Sequence, residues 1–244
     1  MTIAFVQGLL SGTNKATAST LTVTGSKSLT VGNMVFIGYA HRATGTITYS
    51  AADDLGNSYP TISSSAVNNA VSTVLLGGIV TVGGTVTSIN IDSTVSYTAA
   101  AAISVEFSGV GAVNATGLLR AASTNLNAYP GTSTTTTAAQ TIGDLWVGSF
   151  AWQSPVVAFT MPVAATSGVA ASQPIAAIGT SGQASGSNCS VAFGYFICDA
   201  NTSNMLNGGT ASGISGAAAG ADFVPAAAAP SLLWKPNRGP NYRR

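Results

Sequence analysis

Residues Thr94 to Phe107 read TVSYTAAAAISVEF. Val95, Tyr97, Ala99, Ala101, Ile103, Val105 and Phe107 share one parity, while Thr94, Ser96, Thr98, Ala100, Ala102, Ser104 and Glu106 share the other. Side chains alternate between the two faces of a strand, so this is the pattern of a long, half-buried strand. The four consecutive alanines favour helix intrinsically, but the β-branched and aromatic residues on both sides of them fit a pleated surface better. The stretch therefore predicts one strand. Val95, Tyr97, Ile103, Val105 and Phe107 should face the core, and Thr94, Thr98, Ser104 and Glu106 should face away from it.

The same period extends outward in shorter segments. Ile3 to Val6, Leu21 with Val23, and Leu29 with Val31 alternate as outer strands, separated by turn-like clusters such as TGSK. VGNMVFIGYAH is apolar on both parities from Met34 to Tyr39, which predicts a central strand covered on both faces. Short strands follow at Val71 to Leu76, Ile79 to Val82 and Val86 to Ile91, punctuated by paired glycines. From Gly109 to Thr141 the periodicity lapses, which predicts a long connection. Strands resume at IGDLWVGSFAW, Val156 to Met161, Ile175 to Ile178 and Ser190 to Ile197. IGDLWVGSFAW echoes VGNMVFIGYAH, with Ile142, Gly143 and Asp144 standing where Val31, Gly32 and Asn33 stand, and so suggests a duplicated half. Many short strands with closely spaced turns predict an all-β fold, an antiparallel β-sandwich of jelly-roll type occupying residues 1–207.

Composition bounds what such a fold can do. Charged residues are 6% of the 244, against roughly a quarter in ordinary globular proteins, yet 46% hydrophobic content supplies a core and argues against disorder. A net charge of +1 gives little colloidal repulsion, which favours a protein that works assembled. Mean hydropathy is +0.38, but no run reaches the roughly 18 to 20 apolar residues of a spanning helix, and no membrane association is expected. The opening MTIAFVQGLLSGTNK lacks the basic start and continuous apolar middle of a secretory signal, which predicts synthesis in the cytoplasm.

Few residues are candidates for chemistry. His41 is the only histidine and no G-x-S-x-G or comparable nucleophile motif accompanies it, so it reads as a strand-end surface residue rather than a catalytic base. Asp53 and Asp54 in DDLGN could offer oxygen ligands to a cation, but Asp, Asn and Gly in that order are turn chemistry first. Cys189 and Cys198 read as buried free thiols, and with one histidine they do not make a zinc site. No catalytic residue, cofactor or metal is expected. Trp146, Phe150 and Trp152 share a parity; they fit a core, and Trp146 with Trp152 would otherwise suit a platform for sugar rings. The body has too few basic groups to bind nucleic acid.

After Asn207 the strand pattern stops, and residues 208–244 are Gly, Ala and Pro-rich, which predicts an extended arm. Four of the eight basic residues, Lys235, Arg238, Arg243 and Arg244, lie in its last ten positions beside Leu232, Leu233, Trp234 and Tyr242. These are the residue types of interface anchors. Pro230, Pro236 and Pro240 favour an extended conformation that is inexpensive to order. The arm is thus the candidate partner-binding element.

The succession GNMVFIGYA, ADDLGNSYP, TVSYTAAAAISVEFSGV and IGDLWVGSFAW resembles a loosely defined group of β-sandwich structural proteins of tailed-bacteriophage virions and related environmental sequences. The likeness rests on Asp53, Gly56, Asn57 and Tyr59, on Glu106, Ser108, Gly109 and Val110, and on Gly143, Asp144, Leu145, Val147 and Gly148. Ser58 departs from the commoner Thr at its place, and the likeness covers Gly32 to Phe150. It implies a non-enzymatic virion component, a head decoration or tail-associated protein whose partners are itself and other virion proteins. A carbohydrate-binding or adhesion module, with surface glycans as partners, is the alternative.

Overall fold

The computed structural model describes residues 1–43, 47–66, 71–126, 141–153, 175–180, 188–198 and 214–227. Thirteen strands and no helix occur among them. They are β1 (Ala4–Asn14), β2 (Ala18–Leu29), β3 (Met34–His41), β4 (Tyr49–Asp53), β5 (Ser58–Ala66), β6 (Ser72–Ile79) and β7 (Gly84–Tyr97). Then come β8 (Ala100–Ser108), β9 (Val110–Leu126), β10 (Leu145–Trp152), β11 (Ile175–Thr180), β12 (Ser190–Ile197) and β13 (Ile214–Pro225). The all-β, antiparallel class expected from the periodicity is the class found.

Eight strands form one sheet in the order β1-β8-β3-β6-β5-β4-β7-β2, and five form a second in the order β11-β12-β10-β13-β9. The first sheet curls until its two edges approach. At Gly12 an added Cβ would lie 2.7 Å from Val23 Cγ1, so β1 and β2 can come this close only because Gly12 has no side chain. The sheet is therefore a nearly closed barrel filled by Val35, Ile37, Tyr39, Val74, Leu76, Val86, Ile89 and Ile91. The second sheet packs face to face on the outside of β3, β6 and β8, and a second core forms there from Phe36, Leu75, Val105, Phe107, Val147, Phe193 and Phe223.

β3 and β8 belong to both cores. All eight residues of β3 are buried, as its two-sided hydrophobicity predicts. The strand read as Thr94 to Phe107 differs in two ways. It is two strands: β7 ends at Tyr97, and Thr98 and Ala99 pair with Arg42 at the end of β3, through Thr98 N–H to Arg42 O (3.0 Å) and Arg42 N–H to Ala99 O (2.9 Å). In addition, Ser104 and Glu106 are buried rather than outward, because the face they occupy lines the barrel while Ile103, Val105 and Phe107 face the second sheet. Burial of these polar groups is compensated. Ser104 Oγ accepts from Leu10 N–H (2.9 Å) and donates to Leu10 O (2.8 Å), at the place where the β1–β8 register slips between Gly8 and Ser11.

The second sheet repeats the first five strands of the first. In chain order β9, β10, β11, β12 and β13 occupy the places of β1, β3, β5, β6 and β8 in sheet order. Met34 pairs with Ile79 and Phe107, and Leu145 pairs with Ile197 and Phe223; His41 pairs with Ser72 and Ala100, and Trp152 with Ser190 and Gly216. The register of β5 on β6 slips between Thr61/Leu76 and Ser63/Leu75. That of β11 on β12 slips at the equivalent place, between Ile175/Gly194 and Ala177/Phe193. A bulge is a specific feature of a strand pair, so its recurrence supports duplication more strongly than the eleven-residue echo. Gly8-Leu9-Leu10 in β1 and Gly117-Leu118-Leu119 in β9 add a further echo.

Two sequence expectations change accordingly. Part of the connection expected from Gly109 to Thr141 is the long strand β9, paired with β13. Likewise, Ile214–Pro225, expected in an arm beginning at 208, is a central strand between β10 and β9. Its alternation is invisible in hydropathy because Gly216, Ala218 and Gly220 on one parity are as small as Ala217, Ala219 and Ala221 on the other. Small side chains suit a strand buried on both faces between close neighbours. The segment expected at Val156 to Met161 lies outside the described residues.

On the face of β10 away from the shared core, Gly148 pairs with Gly194 and Gly220, making a row of glycines across three strands. Trp146 and Phe150 converge over it, their ring centroids 5.9 Å apart. A Cβ on Gly148 would lie 2.6 Å from Trp146 Cη2 and 2.8 Å from the Phe150 ring. Gly148→Ala should therefore destabilise the protein by about 1–3 kcal/mol through overpacking, and Phe107→Ala by about 3–5 kcal/mol through a cavity in the shared core. Urea denaturation followed by circular dichroism measures both; wild-type midpoints for either variant would contradict this packing.

Candidate functional site: an apolar pole with buried carboxylates

Equivalent ends of the two sheets lie together. Phe107 meets Tyr195 at 5.0 Å between ring centroids and Phe36 meets Phe223 at 4.9 Å, while toward the other end Cys189 Sγ approaches Ala40 O at 3.5 Å. One pole thus collects the starts of β3 and β10, the ends of β6, β8, β12 and β13, and the first residues of the chain. Met1 donates from its terminal amine to Ala226 O (3.0 Å), and Ala226 N–H donates to Gly109 O (2.8 Å).

The duplicated turns shape this pole. Gly32 and Gly143 have φ of 87° and 92°, a region open to glycine at little cost. Gly32 N–H donates to Val80 O (2.9 Å) and Val80 N–H to Asn33 O (2.8 Å); Gly143 N–H donates to Cys198 O and Cys198 N–H to Asp144 O, both at 2.8 Å. These tight turns turn Val31 and Ile142 outward, where they are 62% and 65% exposed. Val31 was expected in an alternating strand with Leu29; its strand ends at Leu29. Ile79 and Val82 are exposed beside it, at 54% and 46%.

Carboxylates at this pole tie turns together. Asp53 accepts from Leu55 N–H (3.0 Å), Asn57 N–H and Nδ2 (2.8 Å each) and Tyr59 Oη (2.6 Å). Asn57 Oδ1 then accepts from Thr81 N–H and Val82 N–H, both at 2.8 Å, linking the β4–β5 turn to the β6–β7 turn. Burial and the neighbouring Asp53 carboxylate raise the Tyr59 pKa, so this phenol stays a donor. Asp54 accepts from the Thr87 hydroxyl and backbone N–H, which lower its pKa. Glu106 accepts from Gln7 Nε2 (2.7 Å), Thr30 N–H (3.0 Å) and Asn33 Nδ2 (2.7 Å), joining β1, β8 and the β2–β3 turn. Asp53 and Asp54 are thus committed to turn hydrogen bonds, as their sequence context suggests. Among the described residues no three His, Cys, Asp or Glu side chains group to hold a metal.

The opposite end holds His41, which is fully buried rather than at the surface, because β3 is covered on both faces. Its Nε2 lies 2.8 Å from Tyr49 Oη and its ring stacks on Tyr39 at 5.3 Å. Burial pushes its pKa down to about 4 and that of Tyr49 up to about 12. Cys189 and Cys198 are buried thiols, as expected.

Trp146 and Trp152 are 0% and 1% exposed, so neither presents a ring face to a sugar; both are core residues of the second sheet. Leu232, Leu233, Trp234, Lys235, Arg238, Tyr242, Arg243 and Arg244 lie outside the described residues. The pole residues Val31, Ile79, Val82 and Ile142 were not legible as a surface: the only signal was the repeated triplet, and it marked turns without saying that both point the same way. Compared with protein-family models, curated proteins and solved structures, the chain matches none of them.

The buried histidine makes a prediction about pH. It is neutral in the fold down to about pH 4, whereas in the unfolded chain it protonates near 6.5. The unfolded state therefore binds the extra proton in this window, and stability should fall as pH drops from 6.5 toward 4, by at most about 3 kcal/mol. His41→Gln should flatten the pH 4.5–6.5 limb of the unfolding free energy. An unchanged slope in the variant would show that the imidazole is not the group responsible.

Proposed function

We propose that this chain is a non-enzymatic structural protein of a bacteriophage virion, a decoration or tail-associated component that assembles with copies of itself and with other virion proteins. Its two packed sheets, the first closed toward a barrel, are read together as a sandwich of jelly-roll type. The observation that carries the assembly reading is the placement of exposed apolar surface. The nine exposed large hydrophobic side chains among the residues whose burial is described lie at or beside one pole, and a concentrated apolar patch marks a site of association. The nearly uncharged surface, at 6% charged residues, favours association further. Location on a virion rests on the resemblance of the turn and strand motifs. The glycan-binding alternative loses its motive, because Trp146 and Trp152 are buried.

Gradient-purified particles from infected cells, carrying a tagged copy of the protein, provide the test. The tag should co-sediment with particles in fixed stoichiometry and appear at discrete positions by immunogold electron microscopy. Recovery only in the particle-free fraction would overturn the virion assignment.

A further inference from the structure

We infer that the apolar pole is the docking surface for the C-terminal segment, Leu232 to Arg244, of a second copy of this chain. The inference rests on the assembly reading above and names the face and the occupant that reading leaves open.

Three observations on the pole point to this occupant. First, its apolar residues come from both units: Val31, Ile79 and Val82 from the first, Ile142 and Val224 from the second, with Met1 beside the end of β13. Among the residues whose burial is described, the opposite end exposes no large hydrophobic side chain. Second, Asp54 is an exposed carboxylate at this pole, where Asp53, Glu106, Asp144 and Asp222 are buried and where Lys27 and the Met1 amine also stand. The segment from Leu232 onward carries Lys235, Arg238, Arg243 and Arg244 and no acid. Third, β13 delivers the chain to this pole at Pro225, so the remaining residues depart from the surface in question.

Departure from the pole decides between the chain's own pole and a neighbour's. Only four residues separate Ala227 from Leu232, a reach of roughly 16 Å when extended. Pro230, Pro236 and Pro240 fix φ and disfavour the α conformation in the residue before each. Lying back on the same pole would need the chain to reverse within this reach. Two copies with facing poles need no reversal. Each segment continues outward, meets the other's patch, and a two-fold arrangement buries both patches at once. Leu232, Leu233 and Trp234 would supply apolar anchors against Val31, Val82 and Ile142, and a basic group of the segment would meet the exposed Asp54.

The test uses the full chain. A photo-crosslinking phenylalanine analogue replaces Trp234, and equal amounts of unlabelled and 15N-labelled protein are mixed, equilibrated and irradiated. The expected result is crosslinks to peptides containing residues 30–33, 79–84 or 141–143, about half of them joining a light chain to a heavy one. Light scattering should give the mass of two chains. Val31→Asp with Ile142→Asp, both at exposed positions and so compatible with folding, should remove these crosslinks and halve the mass while leaving the circular dichroism spectrum unchanged. Crosslinks confined to one isotope, crosslinks to other surfaces, or a monomeric wild-type chain would each overturn the inference. So would a double variant that crosslinks as well as the wild type. These readouts come from purified protein, so absence from virions would sink the proposed location without touching the docking contact, and the reverse holds.

Discussion

The pairing of β3 with β8 is the constraint on which the molecule depends, because this strand pair is a wall shared by two cores. Odd-numbered residues of β3 and even-numbered residues of β8 fill the barrel, and the opposite parities face the second sheet. Such a wall has no solvent side on which to place a polar group, so a polar side chain buried in it is costly unless it finds a partner within the protein. Ser104 and Glu106 meet this demand in different ways. Ser104 satisfies the backbone of Leu10 at a bulge, and Glu106 gathers three donors from β1, the β2–β3 turn and Asn33. Removing the Ser104 hydroxyl would leave the Leu10 N–H and C=O unpaired in the interior, where each costs about 1–3 kcal/mol.

Duplication explains how a second sheet came to fit this wall. Equivalent positions have diverged in volume in a compensating manner. Where the first unit has Ile37, Leu76 and Ser104, the second has Gly148, Gly194 and Gly220; where the first has Val35 and Tyr39, the second has Trp146 and Phe150. The second unit thus concentrates its bulk in two aromatic rings lying over a glycine floor, and the first spreads it over mid-sized side chains. Close packing is met by both solutions, because cores tolerate substitution when total volume is kept.

How much of this could be read in the sequence followed from what hydropathy records. β3 was legible because both its parities are apolar, and the Asp53 turn because Asp, Gly and Asn occur where an Asx-type turn needs them. β13 was not legible, since a strand of glycine and alanine buried on both sides has neither alternation nor hydrophobic bulk. The break at Thr98 was hidden for a different reason. Parity continues through it, so period two persists although the chain leaves one strand partner for another. Ser104 and Glu106 were assigned to the solvent because polar residues usually are; only the three-dimensional neighbourhood shows them to be held inside. The pole was invisible because its apolar residues are spread from Met1 to Val224 in the chain and are brought together only by the fold.

The low charge of the chain takes on a physical meaning once the acids are placed. Asp53, Asp54, Glu106 and Asp144 each accept at least one backbone N–H, from Leu55, Thr87, Thr30 and Thr141. Carboxylates used as turn fasteners contribute order to the fold but little repulsion between molecules, particularly where they are buried. The exposed strand faces are then left largely to hydroxyl and amide side chains, as in the Thr22–Asn90 cross-strand contact. Such a surface is polar enough to stay wet but offers neither strong attraction nor strong repulsion. The assembly proposed above would then draw on the place where apolar side chains are concentrated, and the duplicated turns put Val31 and Ile142 there, at one end of the molecule. In that proposal the turns that close the strands also supply part of the contact surface, so a change in one acts on the other.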